Sequence, residues 1–345
     1  GSTDGTIELV DKLVSSVKYG RCHVSRTWVD YATNRNQCLE LAKERFGTDP
    51  DHWLFMVDAH YKLGFTEPAE LSQQLEAQPP GCHGHMVKYQ VGNWELELIR
   101  LFRANVNWKY RYPVHETPEV DAITAQPTRI GPALPGIVLE AMPVKRDQRA
   151  KWAREAVIIQ QWLNTNGYDP RMQFYLAQTL ELLGMYDDAS EGYLNCISGD
   201  NRFGSMAEQW EAGLRYAVCP RPEDGAEDSW DDELLQDLAH EKPWRAEAWY
   251  YLAQYWHQKG DRARALPYAI LAAALPRPAH DNYMIRTNIY QYKAEFQYAM
   301  LLLLMGSPKD LDQADSIYVN LKEHVTEAEG VAWRQQRSLS HAQIK

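Results

Sequence analysis

Hydrophobic and polar positions follow two different rhythms along this chain. In its first 143 residues, short apolar runs alternate with helical spacing. Ile7-Glu8-Leu9-Val10-Asp11-Lys12-Leu13-Val14 reads as a helix that follows the small-residue turn Gly1 to Thr6. Tyr31 to Phe46 places apolar or small residues at Ala32, Leu39, Ala42 and Phe46, and Gly47 stops it, so a helix is predicted there. The run Trp53-Leu54-Phe55-Met56-Val57 is apolar throughout and closes on Asp58. That pattern predicts a strand buried on both faces with a carboxylate at its C-terminal tip, where ligands bind in open α/β sheets. Arg21 to Val24 is a weaker strand signal, and Val87–Val91 and Trp94–Phe102 are joined by Gly92-Asn93, a two-residue hairpin turn. Pro- and Gly-rich sequence from Gln126 to Pro143 breaks the rhythm, with Ile137 to Leu139 as a last strand, so a domain boundary is placed near Pro143.

From residue 144 to 345 the chain is helical and repetitive. Tyr175-Leu176-Ala177-Gln178 recurs as Tyr251-Leu252-Ala253-Gln254, and each copy is followed at equal spacing by a glycine (Gly184, Gly260) and an alanine (Ala189, Ala265). The series Leu176, Ala177, Gly184, Tyr186, Ala189, Tyr193 resembles the tetratricopeptide repeat, as does Trp249, Leu252, Ala253, Gly260, Ala265. Small residues let two antiparallel helices approach, and bulky ones fill the gap to the next pair. A degenerate repeat is expected to start at Met206 to Val218, with the acidic stretch Glu223 to Glu233 as a solvated loop. A fourth unit spans Tyr292 to Leu321, with Gly306 and Ala314.

Composition narrows the classes. A chain of 345 residues accommodates two domains, and a net charge of −11 argues against a nucleic-acid or anionic-membrane binder. Five scattered cysteines without a CxxC pair form no disulfide framework, which points to a reducing cytoplasm. No apolar stretch reaches the roughly 18 residues of a membrane span. Cys82, His83 and His85 have no second cluster to complete a zinc site and read as a loop feeding the hairpin. Tryptophans such as Trp210, Trp230, Trp244 and Trp249 read as packing residues of helical repeats.

Further motifs carry a second resemblance. Gly1 to Thr6, Trp28 to Asn36, Leu54 to His60, Arg100-Leu101-Phe102-Arg103 and Val114-His115-Glu116 stand in the order seen in family 2 glycosyltransferases. The chain resembles the subgroup in which a GT-A (Rossmann-like α/β) domain precedes tetratricopeptide-like helices. The expected architecture is thus a partial GT-A domain over 1–143 and a helical superhelix over 144–345. The family's first strand and its nucleotide-contacting acid would precede Gly1, so an N-terminal truncation is expected.

The resemblance implies an enzyme that transfers a sugar with inversion from a nucleotide-diphosphate donor to a glycan, lipid or protein acceptor. A divalent cation, Mn²⁺ or Mg²⁺, would stabilise the leaving diphosphate. Asp58, His60 and His115 are the candidate metal ligands, with His60 standing where the family more often has an acid and so favouring Mn²⁺. Glu116 is the candidate base or an orienting group. Arg103 is the candidate phosphate contact, preferred to Arg100 because Arg100 shares the strand face of Trp94, Leu96 and Leu98. Asp4, Arg35, Asn36 and Asp58 would meet the nucleotide. The competing expectation is a non-catalytic tetratricopeptide scaffold carrying a degenerate or truncated transferase domain. In either case the helical half is expected to bind a protein partner or a second copy.

Overall fold

The computed structural model describes residues 5–16, 28–58, 60–65, 68–79, 81–91, 94–120, 128–142, 147–198, 206–220, 230–281 and 284–344. The strand signal at Arg21–Val24, most of the Gly1–Thr6 turn with Asp4, the Gly92-Asn93 turn and Glu223–Ser229 lie outside the described residues. Contacts divide the chain into two compact units, Gly1–Lys151 and Trp152–Lys345. No described helix is long and apolar enough to cross a membrane.

The first unit is built on a mixed sheet. Its strands are β1 (Trp53–Phe55), β2 (Tyr61–Phe65), β3 (Gly84–Val91), β4 (Trp94–Arg103), β7 (Ile130–Gly131) and β8 (Ile137–Ala141), in the order β1-β4-β3-β8-β2, with β7 beside β3. β3 and β4 form the expected hairpin, with Val91 opposite Trp94. A separate ribbon pairs β5 (Trp108–Arg111) with β6 (Thr117–Val120). Alternation along β4 sends neighbouring residues to opposite faces. Phe102 joins Ala32 and Leu39 of α2 (Tyr31–Phe46), Trp108 and Tyr110, whereas Leu101 joins Val87, Ile137 and Leu139, with Leu71 and Leu75 of α3 (Pro68–Glu76) packed against them. Helix α2 begins where the Asp30 side chain accepts the Thr33 N–H, and it ends at Gly47 with φ 80°. Helix α1 (Thr6–Ser15) buries none of its residues.

Two expectations about this unit are corrected. The sheet is not the doubly wound parallel layer of a GT-A domain. β1–β4, β3–β4 and β2–β8 run antiparallel, and only β3–β7 and β3–β8 run parallel among the described strands. Nor is the Trp53–Val57 run a central strand buried on both faces. Only Trp53–Phe55 pairs, at the end of the strand order, and those residues are half-buried. Part of its apolar character serves side-chain stacking instead. Trp53 lies under the Arg103 guanidinium at 4.5 Å and beside the His85 ring at 5.4 Å.

The second unit is a run of antiparallel helix pairs. Helix α4 (Gln148–Asn166) crosses the division between the units and leads into α5 (Pro170–Leu183) with α6 (Tyr186–Ile197) and α7 (Met206–Val218) with α8 (Asp232–Glu241). Then come α9 (Ala246–Gln258) with α10 (Arg262–Ala274), α11 (Ala294–Met305) with α12 (Pro308–Leu321), and α13 (Glu327–Ile344). From α5 onward each helix packs on the next, contacts also join α5 to α7, α9 to α11 and α11 to α13, and Trp210 and Leu214 of α7 share one core with Ala248 and Leu252 of α9. The odd-numbered helices therefore form one layer, as the first helix of each pair does in a tetratricopeptide solenoid. The repeat positions explain the packing. Ala177, Ala189, Ala253 and Ala265 are fully buried, and Gly184 and Gly260 end their helices in the left-handed region. A Cβ at Gly192 of α6 would stand 2.8 Å from the Ala177 Cβ, so this helix pair closes only around glycine. Trp210 and Trp333 are core residues, the latter stacked on Tyr318 at 4.4 Å.

Candidate functional site

The first unit gathers three of the sequence-selected residues into one cluster. Arg35, in the second turn of α2, lies near both Asp58, after β1, and Glu116, before β6. Its Nη1 and Nη2 donate to the two Asp58 oxygens at 2.6 and 2.9 Å, and its Nε donates to Glu116 at 2.6 Å. These side chains keep 14%, 19% and 14% exposure, so water screens the pairs only in part. Arg100 approaches Asp58 from the sheet at 3.4 Å and also donates to the Tyr61 hydroxyl at 3.3 Å. The Arg35 guanidinium lies over the Tyr110 ring at 5.5 Å. Asn36, next along α2, exchanges two hydrogen bonds with the Tyr110 backbone, at 2.9 and 2.7 Å, and so pins the helix to β5.

Burial alone would raise the Asp58 carboxyl, but the Arg35 hydrogen bonds and the charges of Arg35 and Arg100 hold it below the ordinary carboxylate range. Burial pushes the Tyr61 and Tyr110 phenols up. The sign for Asp58 is that of a depressed acid. Its contribution to stability is intact above the ordinary value near 3.8 and is lost as pH falls through the folded-state value. The urea midpoint of the Gly1–Lys151 unit is therefore expected to fall on acidification from about pH 5 to about pH 2. Asp58→Asn should make that fall shallower. An equally steep fall in the variant would remove Asp58 from the account.

The remaining sequence-selected residues fall elsewhere. Arg103, expected on phosphate, is 4% exposed and turns inward. Its guanidinium donates to the Cys82, Pro50 and Pro79 carbonyls at 2.8, 2.5 and 3.3 Å. Of the two β4 arginines, the one that reaches Asp58 is Arg100. The reason is a bulge: Met86 faces Ile99 but His85 faces Leu101, which leaves Arg100 as the extra residue of β4 and breaks the alternation that assigns its face. The His60 ring packs on Tyr61 at 4.4 Å, and His115 is exposed with φ 50°. The expected metal triad does not fit the arrangement. Both Asp58 oxygens accept from guanidinium groups, and among the described residues no group of three His, Cys, Asp or Glu side chains converges as a metal cage would require. Cys82 Sγ lies 3.2 Å from His85 Nε2, whereas the His83 ring faces the Arg129 N–H.

The second unit contains a larger ionic cluster, which no motif in the sequence announces. Glu181 of α5 accepts from Arg215 of α7 at 2.8 Å and from the Tyr193 hydroxyl at 2.5 Å. Arg215 also donates to Glu211 at 2.8 Å, and Arg286 pairs with the same carboxylate at 2.9 and 3.1 Å. Glu247 of α9 accepts from Arg245 at 2.8 and 3.1 Å, from the Tyr290 hydroxyl at 2.6 Å and from the Arg286 N–H at 3.2 Å. Asp281 closes the series on Lys242 at 2.9 Å and Arg245 at 3.4 Å. The cluster is deep, with Glu211 and Glu247 at 0% and Arg245 at 1% exposure. Burial opposes ionisation of Glu247, yet Arg245 and Tyr290 hold it below the ordinary range. Burial likewise works against Arg245 and Arg286, and their carboxylate partners outweigh it and raise both. The signals in the sequence are Glu211 and Arg215 at helical i,i+4 spacing and the nearness of Arg245 to Glu247.

Beside α4, α5 and α6 runs a mainly apolar groove of about 590 Å³, lined in part by Val157, Leu176, Leu180 and Met185 with Asp188 and Glu191 at its edge.

Neither a protein-family model nor a curated protein matches the sequence. Among solved structures the chain is similar to MamA, with 13% identity over 52% of this chain and 98% of that one, at a TM-score of 0.39. It is also similar to a thermophilic TPR protein of Thermus thermophilus (20% identity, 56% and 92% of the two chains, TM-score 0.32). A third is a TPR repeats protein of Bacteroides fragilis (14% identity, 57% and 93%, TM-score 0.27). The expectation of a family 2 glycosyltransferase is corrected accordingly. The sheet lacks the parallel layer, Arg35 is closed into ion pairs with Asp58 and with Glu116, and no metal-ligand group forms among the described residues. The tetratricopeptide-like half of the expectation stands in the helix pairs themselves.

Proposed function

We propose that this chain is a non-catalytic interaction scaffold whose tetratricopeptide-like unit holds a segment of a partner protein. The observation that carries this reading is the layer formed by the odd-numbered helices of the second unit. It presents side chains of successive repeats to one side, and stacked repeats of this kind create extended binding faces. The chemistry of both polar clusters supports the same reading. Their carboxylates accept from guanidinium groups of the same clusters, and among the described residues of these clusters no nucleophile–base pair or metal-ligand group stands open. In the first unit the cluster ties α2 to β1, β4 and the β5–β6 ribbon, which gives it a structural task.

The test is selection from a displayed random-peptide library on the whole chain. A scaffold should enrich peptides whose binding is competed by the same peptide free in solution. No enrichment above that on an unrelated helical protein would count against the proposal.

A further inference from the structure

A π-helical turn, Ile289–Lys293, runs directly into α11, and the residues just before that turn are laid across the layer of odd-numbered helices. Met284 takes a left-handed backbone with φ 49°, and its sulfur accepts a hydrogen bond from Gln178 of α5 at 3.8 Å. Ile285 is 4% exposed. Arg286 then reaches Glu211 of α7 through both terminal nitrogens, gives its backbone N–H to Glu247 of α9, and sets its guanidinium 5.8 Å from the Tyr251 ring. A short stretch thus touches three successive odd-numbered helices, with an extended-peptide style of contact: one backbone hydrogen bond, one buried apolar residue and one forked cation.

Charge shows what this place accepts. Around Arg286 stand Glu181, Glu211 and Glu247 against Arg215 and Arg245, with Tyr193, Tyr251 and Tyr290 as neutral neighbours. Asp281 and Lys242 form a further balanced pair, as do Arg171 and Glu208. Without Arg286, three carboxylates would face two guanidiniums, so the site lacks one positive charge. The Glu211 side chain is buried, which makes an uncompensated carboxylate there unfavourable. The planar fork of arginine meets a carboxylate edge-on and can lie on an aromatic face, and a lysine ammonium offers no such fork. The Arg286 side chain still keeps 20% exposure, so the place is reached from solvent on the arginine side.

We infer that Met284–Arg286 is an internal ligand, and that Glu211, Glu247 and Tyr251 form an arginine-accepting site for which an arginine-bearing extended segment of a partner protein competes. This rests on the scaffold reading above and specifies the chemistry of its partner.

The test uses the whole chain and two capped pentapeptides, Met-Ile-Arg-Thr-Asn and the same peptide with alanine for arginine. Arg286→Ala vacates the site. The variant is expected to bind the arginine peptide at least about ten-fold more tightly than the alanine peptide, a difference of about 1.4 kcal/mol. A folded variant, judged by circular dichroism, that does not distinguish the two peptides overturns the inference. Should Arg286→Ala fail to fold, hydrogen exchange on the wild-type chain decides. Excess arginine peptide should speed exchange of the Arg286 amide, which the Glu247 carboxylate otherwise protects, and the alanine peptide should not. Unchanged exchange overturns the inference. Library peptides that bind the chain but protect only the α4–α6 groove would also overturn it, while leaving the scaffold proposal standing. No library binding at all would remove the scaffold proposal itself.

Discussion

Replacing Glu247 by alanine is expected to lower the stability of the Trp152–Lys345 unit by about 3–5 kcal/mol, the range for breaking a buried ion pair. Glu247 is fully buried and accepts from Arg245, Tyr290 and the Arg286 backbone. Its loss takes from Arg245, itself 1% exposed, a carboxylate at 2.8 Å, whereas Asp281 lies at 3.4 Å. The Trp210 ring, 4.4 Å from that guanidinium, stabilises it only in part. Glu247→Gln keeps the shape and several hydrogen bonds and should cost less. A paired change, Arg245→Met with Glu247→Leu, removes both charges and should cost less than Glu247→Ala alone. Urea unfolding, with hydrogen exchange to assign the transition to α7–α9, measures all three. A Glu247→Ala effect below about 1 kcal/mol would mean that the pair is solvated and the cluster is not a core element.

The second large effect is expected at Arg35. Arg35→Ala removes the cation shared by Asp58 and Glu116 and leaves two carboxylates near one another, with Arg100 at 3.4 Å from one of them. The groups are partly screened, so the expected loss in the Gly1–Lys151 unit is about 2–4 kcal/mol. Arg35→Lys retains a charge but not the fork and should recover less than about half of it. The more specific readout is titration. In Arg35→Ala the Asp58 carboxyl, held below the ordinary range in the native chain chiefly by the Arg35 hydrogen bonds against its burial, should titrate at or above that range. Carbon-detected NMR of the aspartate carboxyls follows this directly. An unmoved Asp58 would show that Arg100 or Tyr61, and not Arg35, sets its protonation.

Which parts of this molecule can be read from its sequence follows from which interactions are local. Helix α2 is legible because its apolar spacing and its stop, Gly47, sit in the sequence, and it runs from Tyr31 to Phe46 as that spacing predicts. Helix α7, Met206–Val218, and the hairpin of β3 and β4 are legible too, because each is encoded in one contiguous stretch. The repeat positions Ala177, Gly184, Ala189, Ala253, Gly260 and Ala265 announce helix pairs because close approach demands small residues at fixed offsets. The strand order is not legible, since it depends on which distant segments pair. A three-residue edge strand stacked on Arg103 and His85 looks, in sequence, like a central one.

The sites divide along the same line. Arg35, Asp58 and Glu116 stand out individually for polarity and place, and the fold does bring them together, but as mutual partners. Simple alternation puts Arg100 on the wrong face because a bulge shifts the pattern without leaving a residue signature. Glu211, Arg245 and Glu247 escape notice because charged residues in helices belong by default on the solvated side, and only a partner from another repeat makes their burial tolerable.

A hydrogen-exchange map of the whole chain, with and without a library-selected binding peptide, tests the scaffold reading most directly. Slower exchange in α5, α7 and α9 is predicted, with the Gly1–Lys151 unit unchanged. Protection confined to Gly1–Lys151, with those three helices unaffected, would contradict it.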